Sequence, residues 1–143
     1  MSKKAQTRLE NDNYCFACGR ENPHGLAMRI QYEDNQAVCR LTLERRFQGW
    51  AGMAHGGVVS TMLDEVMAYA VLRWAGLGVT ASMETRFLKP VPIQTELVVR
   101  GWIRERKGRL ALTEAVVQRA GEEKPLARAQ AKFLVQPPSP DQA

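Results

Sequence analysis

One stretch of this chain changes period, and that change limits the folds open to it. From Gly57 to Trp74 the apolar residues Val59, Met62, Leu63, Val66, Met67, Ala70, Val71 and Trp74 recur at steps of three and four, the spacing of one helix face. Gly76-Leu77-Gly78 closes the run, as glycine does just past a helix end. The remaining apolar runs alternate with period two, the mark of half-buried strands. Met28, Ile30 and Tyr32 alternate with Arg29, Gln31 and Glu33. Asp34-Asn35 then supplies turn chemistry, and Cys39, Leu41 and Leu43 resume the alternation, so a hairpin is expected. Residues 44–54, which include Gly49 and Gly52, read as an irregular loop. Four further strand-like runs follow the helix, at 80–88, 96–104, 109–118 and 127–135.

Two strands, one helix and four strands make an α+β chain in which an antiparallel sheet of about six strands wraps a single long helix. Ala127, Ala129 and Ala131 suit a sheet face pressed against helical backbone. Residues 1–13 read as a flexible lead-in, 14–136 as a single domain, and 137–143, opening with Pro137-Pro138-Ser139-Pro140, as a disordered tail. A sheet of this kind keeps open edges, which predicts an oligomer, a homodimer or a dimer of dimers.

Composition excludes several classes. With 45% hydrophobic and 24% charged residues the chain is not a disordered one. No apolar run reaches the roughly 18 residues of a membrane span, and the basic start has no apolar signal core, so a cytoplasmic location without a membrane partner is expected. A net charge of +5 favours an anionic partner. The cations are scattered and lack interleaved aromatics, so that partner is not expected to be nucleic acid. Cys15, Cys18 and Cys39 are too few for a disulfide framework. Cys15-Phe16-Ala17-Cys18 has metal-knuckle spacing, but no second CxxC or HxxxH exists to complete a zinc site. The pair reads as reduced structural thiols, with no metal and no cofactor expected; a zinc ion at the pair, as one bridging two subunits, is the alternative.

The helix also carries chemistry. His55-Gly56-Gly57 stands at its start, where unpaired N–H groups and the positive dipole end attract an oxyanion. Asp64 follows two turns later within an apolar stretch, as a base or nucleophile. Glu65 is turned about 100° away from it around the helix, toward a solvated or structural role. Ser60 lacks the G-x-S-x-G elbow of a serine hydrolase. Gly56 and Asp64 are about 12 Å apart along the helix, too far to address one carbon. Two helices antiparallel about a twofold axis would bring Gly56 of one chain near Asp64 of the other.

The segments CFACGxxNPxGL, Phe47-Gln48-Gly49-Trp50, AHGGVVSTMLDE and TRFLKPVP together resemble the hot-dog-fold acyl-CoA thioesterases, nearest the phenylacetate-pathway branch. The resemblance spans roughly residues 14–136 and implies a hot-dog fold and hydrolysis of an acyl-CoA substrate. It assigns carbonyl polarisation to the Gly56 N–H and the role of nucleophile or general base to Asp64. It further implies help from Thr80 in positioning water or the carboxylate, from Gln48 at the carbonyl, and from His55 in orienting the loop. Gly57, Arg86, Lys89 and Pro90 are the substrate-binding candidates, with Arg86, Lys89 and Arg104 as contacts for coenzyme A phosphates. A non-catalytic acyl-CoA sensor or interaction module of the same fold is the alternative.

Overall fold

The computed structural model describes residues 9–137. The expected tail lies outside these residues apart from Pro137, as does most of the expected lead-in. In chain order the elements are β1 (Ile30–Glu33), β2 (Gln36–Thr42), a 3-10 turn (Arg45–Phe47), α1 (Gly56–Trp74), β3 (Gly78–Phe87), β4 (Glu96–Lys107), β5 (Leu110–Arg119) and β6 (Pro125–Val135). The strands form one antiparallel sheet in the order β1-β2-β4-β5-β6-β3. One helix packed on a six-stranded sheet is the expected architecture.

Local chemistry explains the boundaries. Asp34 and Asn35 both take positive φ, 48° and 61°, as a tight two-residue hairpin turn demands. β1 starts at Ile30 rather than Met28 because Leu26 and Met28 donate instead to Phe16 O and Ala17 O, both at 2.9 Å. β4 runs on to Lys107 through an irregularity between Ile103 and Glu105, which interrupts the alternation and hides its last turn of strand. A second irregularity, between Thr80 and Ser82 in β3, matters more for the site. With Ala81 inserted there, Thr80 shares a face with Met83 and Thr85 rather than with Ser82.

The core lies between α1 and the sheet. Val59, Met62, Leu63, Val66, Met67, Ala70 and Val71 are buried along the helix, confirming the three-and-four spacing. Opposite them, small residues line up across the strands, since Ala37 pairs with Gly101, Gly101 with Ala115, Ala115 with Ala129, and Ala129 with Thr85. This row forms the trough in which α1 lies. At Gly101 the helix backbone itself touches down, for a Cβ there would sit 2.7 Å from Val66 C and 2.8 Å from Met67 N. The expected alanines of β6 contribute to the same surface; Ala127, Ala129 and Ala131 are all buried.

The two edges of the sheet differ. β1 is four residues long and is guarded by charge, with Arg40 bonded bidentately to Glu33 at 2.9 and 3.1 Å. β3 is ten residues long and leaves Val79 and Phe87 43% and 56% exposed. Short, charged edges resist further pairing, whereas long edges with exposed apolar side chains invite it. Among the described residues no helix is long and apolar enough to cross a membrane.

Candidate active site at the helix entrance and the sheet edge

The site has two halves in one chain. The first is the start of α1. His55 is the N-cap, with φ −59° and ψ 137°. It answers most of the orphan donors of a helix start: its Nδ1 accepts from Gly57 N–H at 2.9 Å, and its carbonyl accepts from Val58 and Val59 N–H at 2.9 and 3.0 Å. Its own N–H donates to Phe47 O at 2.9 Å. The Gly56 N–H alone is left without a protein acceptor among the described residues. It borders an open depression of about 400 Å³ lined by Gly49, Trp50, Ala54, His55 and Gly56. A free amide at the positive end of a helix, facing open space, is a ready oxyanion donor. Substituting Ala for His55 removes the cap and is expected to lower stability by about 1 kcal/mol, read from the denaturant midpoint.

Around this donor the expected residues divide. The Gly57 N–H is committed to the His55 ring, and a Cβ on Gly57 would come within 3.1 Å of that ring's Nδ1. Gly57 therefore serves the cap by being small. Gln48 lends its Oε1 to Gly52 N–H at 3.1 Å, which holds the loop and leaves the side-chain NH₂ as a donor. Lys89 and Pro90 are exposed, and the segment they open docks beside the loop, with Ala54 N–H donating to Val91 O at 2.7 Å.

Asp64 is the second half, two turns along α1 and half-buried. The Thr80 hydroxyl donates to Asp64 Oδ1 at 2.7 Å. One turn earlier on the same stripe, Ser60 Oγ lies 3.4 Å from Thr85 Oγ1. The β3 bulge is what turns Thr80 inward to make its contact. The pair lies at the open β3 edge of the sheet.

Arg86 goes elsewhere. Phe87 would contact a Cβ on Gly56 at 3.6 Å, so strand alternation sends Arg86 to the opposite face of the sheet. There it pairs with Glu84 at 3.4 Å and lines a separate depression with Trp102 and Arg128. Arg104 lies 3.5 Å from Glu114. Within one chain, neither cation has been brought to the Gly56 half.

Two features escaped the sequence reading. Trp50 stands 83% exposed at the depression beside Gly56. The other is the partner of Glu65: of the solvated and structural roles expected for it, Glu65 takes the structural one, half-buried against Cys18, to which the Tyr69 hydroxyl donates at 3.2 Å. Burial holds the Glu65 carboxyl above the usual carboxylate range, opposed by the Cys18 hydrogen bond and reinforced by the Asp64 charge.

This arrangement of fold, helix entrance and carboxylate has relatives. Residues 51–126 match the family model described as Thioesterase superfamily. The chain belongs to that superfamily. A rat relative (Rattus norvegicus), acyl-coenzyme A thioesterase THEM4, is 25% identical over 108 residues, which cover 76% of this chain and 46% of the relative. The chain thus spans about half the length of this curated relative. A solved thioesterase superfamily protein superposes with a TM-score of 0.79 at 25% identity, covering 85% of this chain and 60% of the other. A Streptococcus mutans protein, crystallised with acetyl CoA, gives a TM-score of 0.70 at 16% identity, with 76% and 88% of the two chains covered. The hot-dog fold is thereby established for this thioesterase superfamily member.

Proposed function

We propose that this superfamily member hydrolyses acyl-CoA thioesters to a free acid and coenzyme A, as a cytoplasmic homodimer or dimer of dimers of the phenylacetate-pathway-like branch. The catalytic unit is the domain of residues 14–136. The observation that carries the reading is the Gly56 N–H, the one donor of the capped helix start without a protein acceptor among the described residues, on a residue that lines an open depression. A thioester carbonyl received there gains from the amide and the helix dipole as negative charge grows on its oxygen. Asp64 attacks the carbonyl carbon or takes a proton from the attacking water, the Thr80 hydroxyl orients its carboxylate, and coenzyme A leaves as the thiolate. Gln48 NH₂ assists at the carbonyl. Neither role calls for a metal or cofactor. The acyl-CoA thioesterase activity in the rat relative's name and the acetyl CoA held by the Streptococcus mutans protein are consistent with this substrate class.

The reading requires two chains. About 12 Å of helix separates Gly56 from Asp64, and the long β3 edge, with Val79 and Phe87 exposed, is the surface suited to a second copy. Pairing β3 with its twofold mate sets the two helices antiparallel and brings Gly56 of one protomer to Asp64 of the other. Lys89, Pro90 and Arg86 then meet the coenzyme A moiety from whichever protomer presents them.

Purified protein assayed against aromatic, short-chain and medium-chain acyl-CoAs for thiol release is expected to turn over at least one of them. Tight acyl-CoA binding with no turnover would instead make it a sensor. Thr80→Val removes a hydrogen bond to a charged group, worth about 1.5 kcal/mol, and is expected to slow turnover about tenfold. Gly56→Pro deletes the proposed donor at the one helix position that accepts proline, after a residue whose dihedrals already suit a pre-proline site. Its kcat is expected to fall about 100-fold or more, with the fold kept. Mixed with Asp64→Asn, it should regain about a quarter of wild-type activity, because half of randomly paired dimers carry one intact site of two. No recovery in proven heterodimers would refute the shared site.

A further inference from the structure

On the flank of α1 turned away from Asp64, three ligand atoms converge. Cys15 Sγ, Cys18 Sγ and a Glu65 carboxylate oxygen lie within 4.8 Å of one another. The cysteines sit on a tight knuckle closed by Gly19 N–H donating to Cys15 O at 2.8 Å. No side chain fits at Gly19, where a Cβ would lie 2.3 Å from Cys15 N. The buried Ala17 and the Tyr69–Cys18 hydrogen bond seat this knuckle on the helix. His24 and the buried Cys39 are not part of the cluster.

We propose that Cys15, Cys18 and Glu65 form a Zn²⁺ site, with solvent in the fourth position, that clips the N-terminal loop to α1. The donor set decides the ion: two sulfurs and one oxygen suit a borderline-soft divalent metal and exclude calcium and magnesium. A tetrahedral zinc with Zn–S near 2.3 Å spaces its sulfurs about 3.8 Å apart, compatible with ligand atoms that all lie within 4.8 Å of one another. Cys15 is exposed, so solvent reaches the open position. Glu65 takes part in no ion pair among the described residues.

The test uses the full chain, reduced with a phosphine, stripped of metal and titrated first with Co²⁺. One equivalent per chain is expected, with thiolate-to-cobalt charge-transfer absorption that Zn²⁺ displaces. Zn²⁺ should also raise the melting temperature, since a ligand that binds only the folded state stabilises it. Cys15→Ser, at an exposed position, should lose most of the charge-transfer band, and Cys18→Ser should abolish it. Glu65→Gln keeps both thiols and should weaken zinc binding at least about tenfold, no less than the loss of an outer-shell partner does. Cobalt uptake without a thiolate band would overturn the proposal. So would uptake unchanged in Cys15→Ser and Glu65→Gln, or none at all by natively folded protein.

Discussion

Asp64→Asn is expected to lower kcat by about a thousandfold or more while leaving the melting temperature and KM nearly unchanged. Asparagine has the shape of aspartate, and its Oδ1 can still accept the 2.7 Å hydrogen bond from Thr80. What it lacks is basicity and nucleophilic charge. No neighbour replaces them, because Glu65 points about 100° away around the helix and is engaged with Cys18. Thiol release from the best acyl-CoA substrate, run beside a thermal melt, reads both quantities. A variant that keeps more than a tenth of wild-type turnover would remove Asp64 from the mechanism. Single turnover in ¹⁸O water distinguishes its two possible roles: label carried into Asp64 marks direct attack through an anhydride, and label confined to the product acid marks a general base.

How much of this was legible in the sequence follows from the range of the interactions involved. The helix and all six strands could be read because each writes its own period into neighbouring residues, as Val59 to Val71 and Leu97 to Val99 do. The helix start was legible for the same reason, since the cap that His55 forms uses the amides of Gly57, Val58 and Val59, all within four residues. Strand order was not, because pairing β3 with β6 joins segments some fifty residues apart, Phe87 to Ala127 at one end and Gly78 to Val135 at the other. Alternation in β3 rightly grouped Met83, Thr85 and Phe87, yet it would put Thr80 on the other face; only the bulge at Ala81 reverses that. Glu65 could be read only as solvated or structural, because its partners, Cys15 and Cys18, lie in a loop that only the tertiary fold carries to the helix. The spacing of Gly56 and Asp64 said that one chain cannot complete the site, and the long, open β3 edge gives that inference a surface.

The largest expected effect on stability comes from a single methyl group. Gly101→Ala should cost about 3 kcal/mol, a large share of the 5–15 kcal/mol that holds a domain of this kind together. An added Cβ would meet Val66 C at 2.7 Å and both Met67 N and Val66 O at 2.8 Å, all of them backbone atoms. Carbon atoms pack at about 3.5–4.0 Å, so relief means lifting α1 by close to an ångström rather than turning a side chain. A gap of that size forfeits a quarter to a half of each contact it opens, and Val59, Met62, Val66 and Ala70 lie along the seam. Gly56→Ala is the matched control: the same substitution, at a site where the new Cβ would meet only the Phe87 ring, at 3.6 and 3.7 Å. Urea midpoints for the two variants should therefore separate by most of the 3 kcal/mol, and Gly101→Val should not accumulate as folded protein. Equal midpoints would mean that the helix does not rest on the sheet at Gly101. The same touchdown sets the height of α1 above the sheet, and with it the placement of Gly56 and Asp64 at the β3 edge. Residual folded Gly101→Ala should accordingly lose turnover as well as stability, although residue 101 touches neither half of the site.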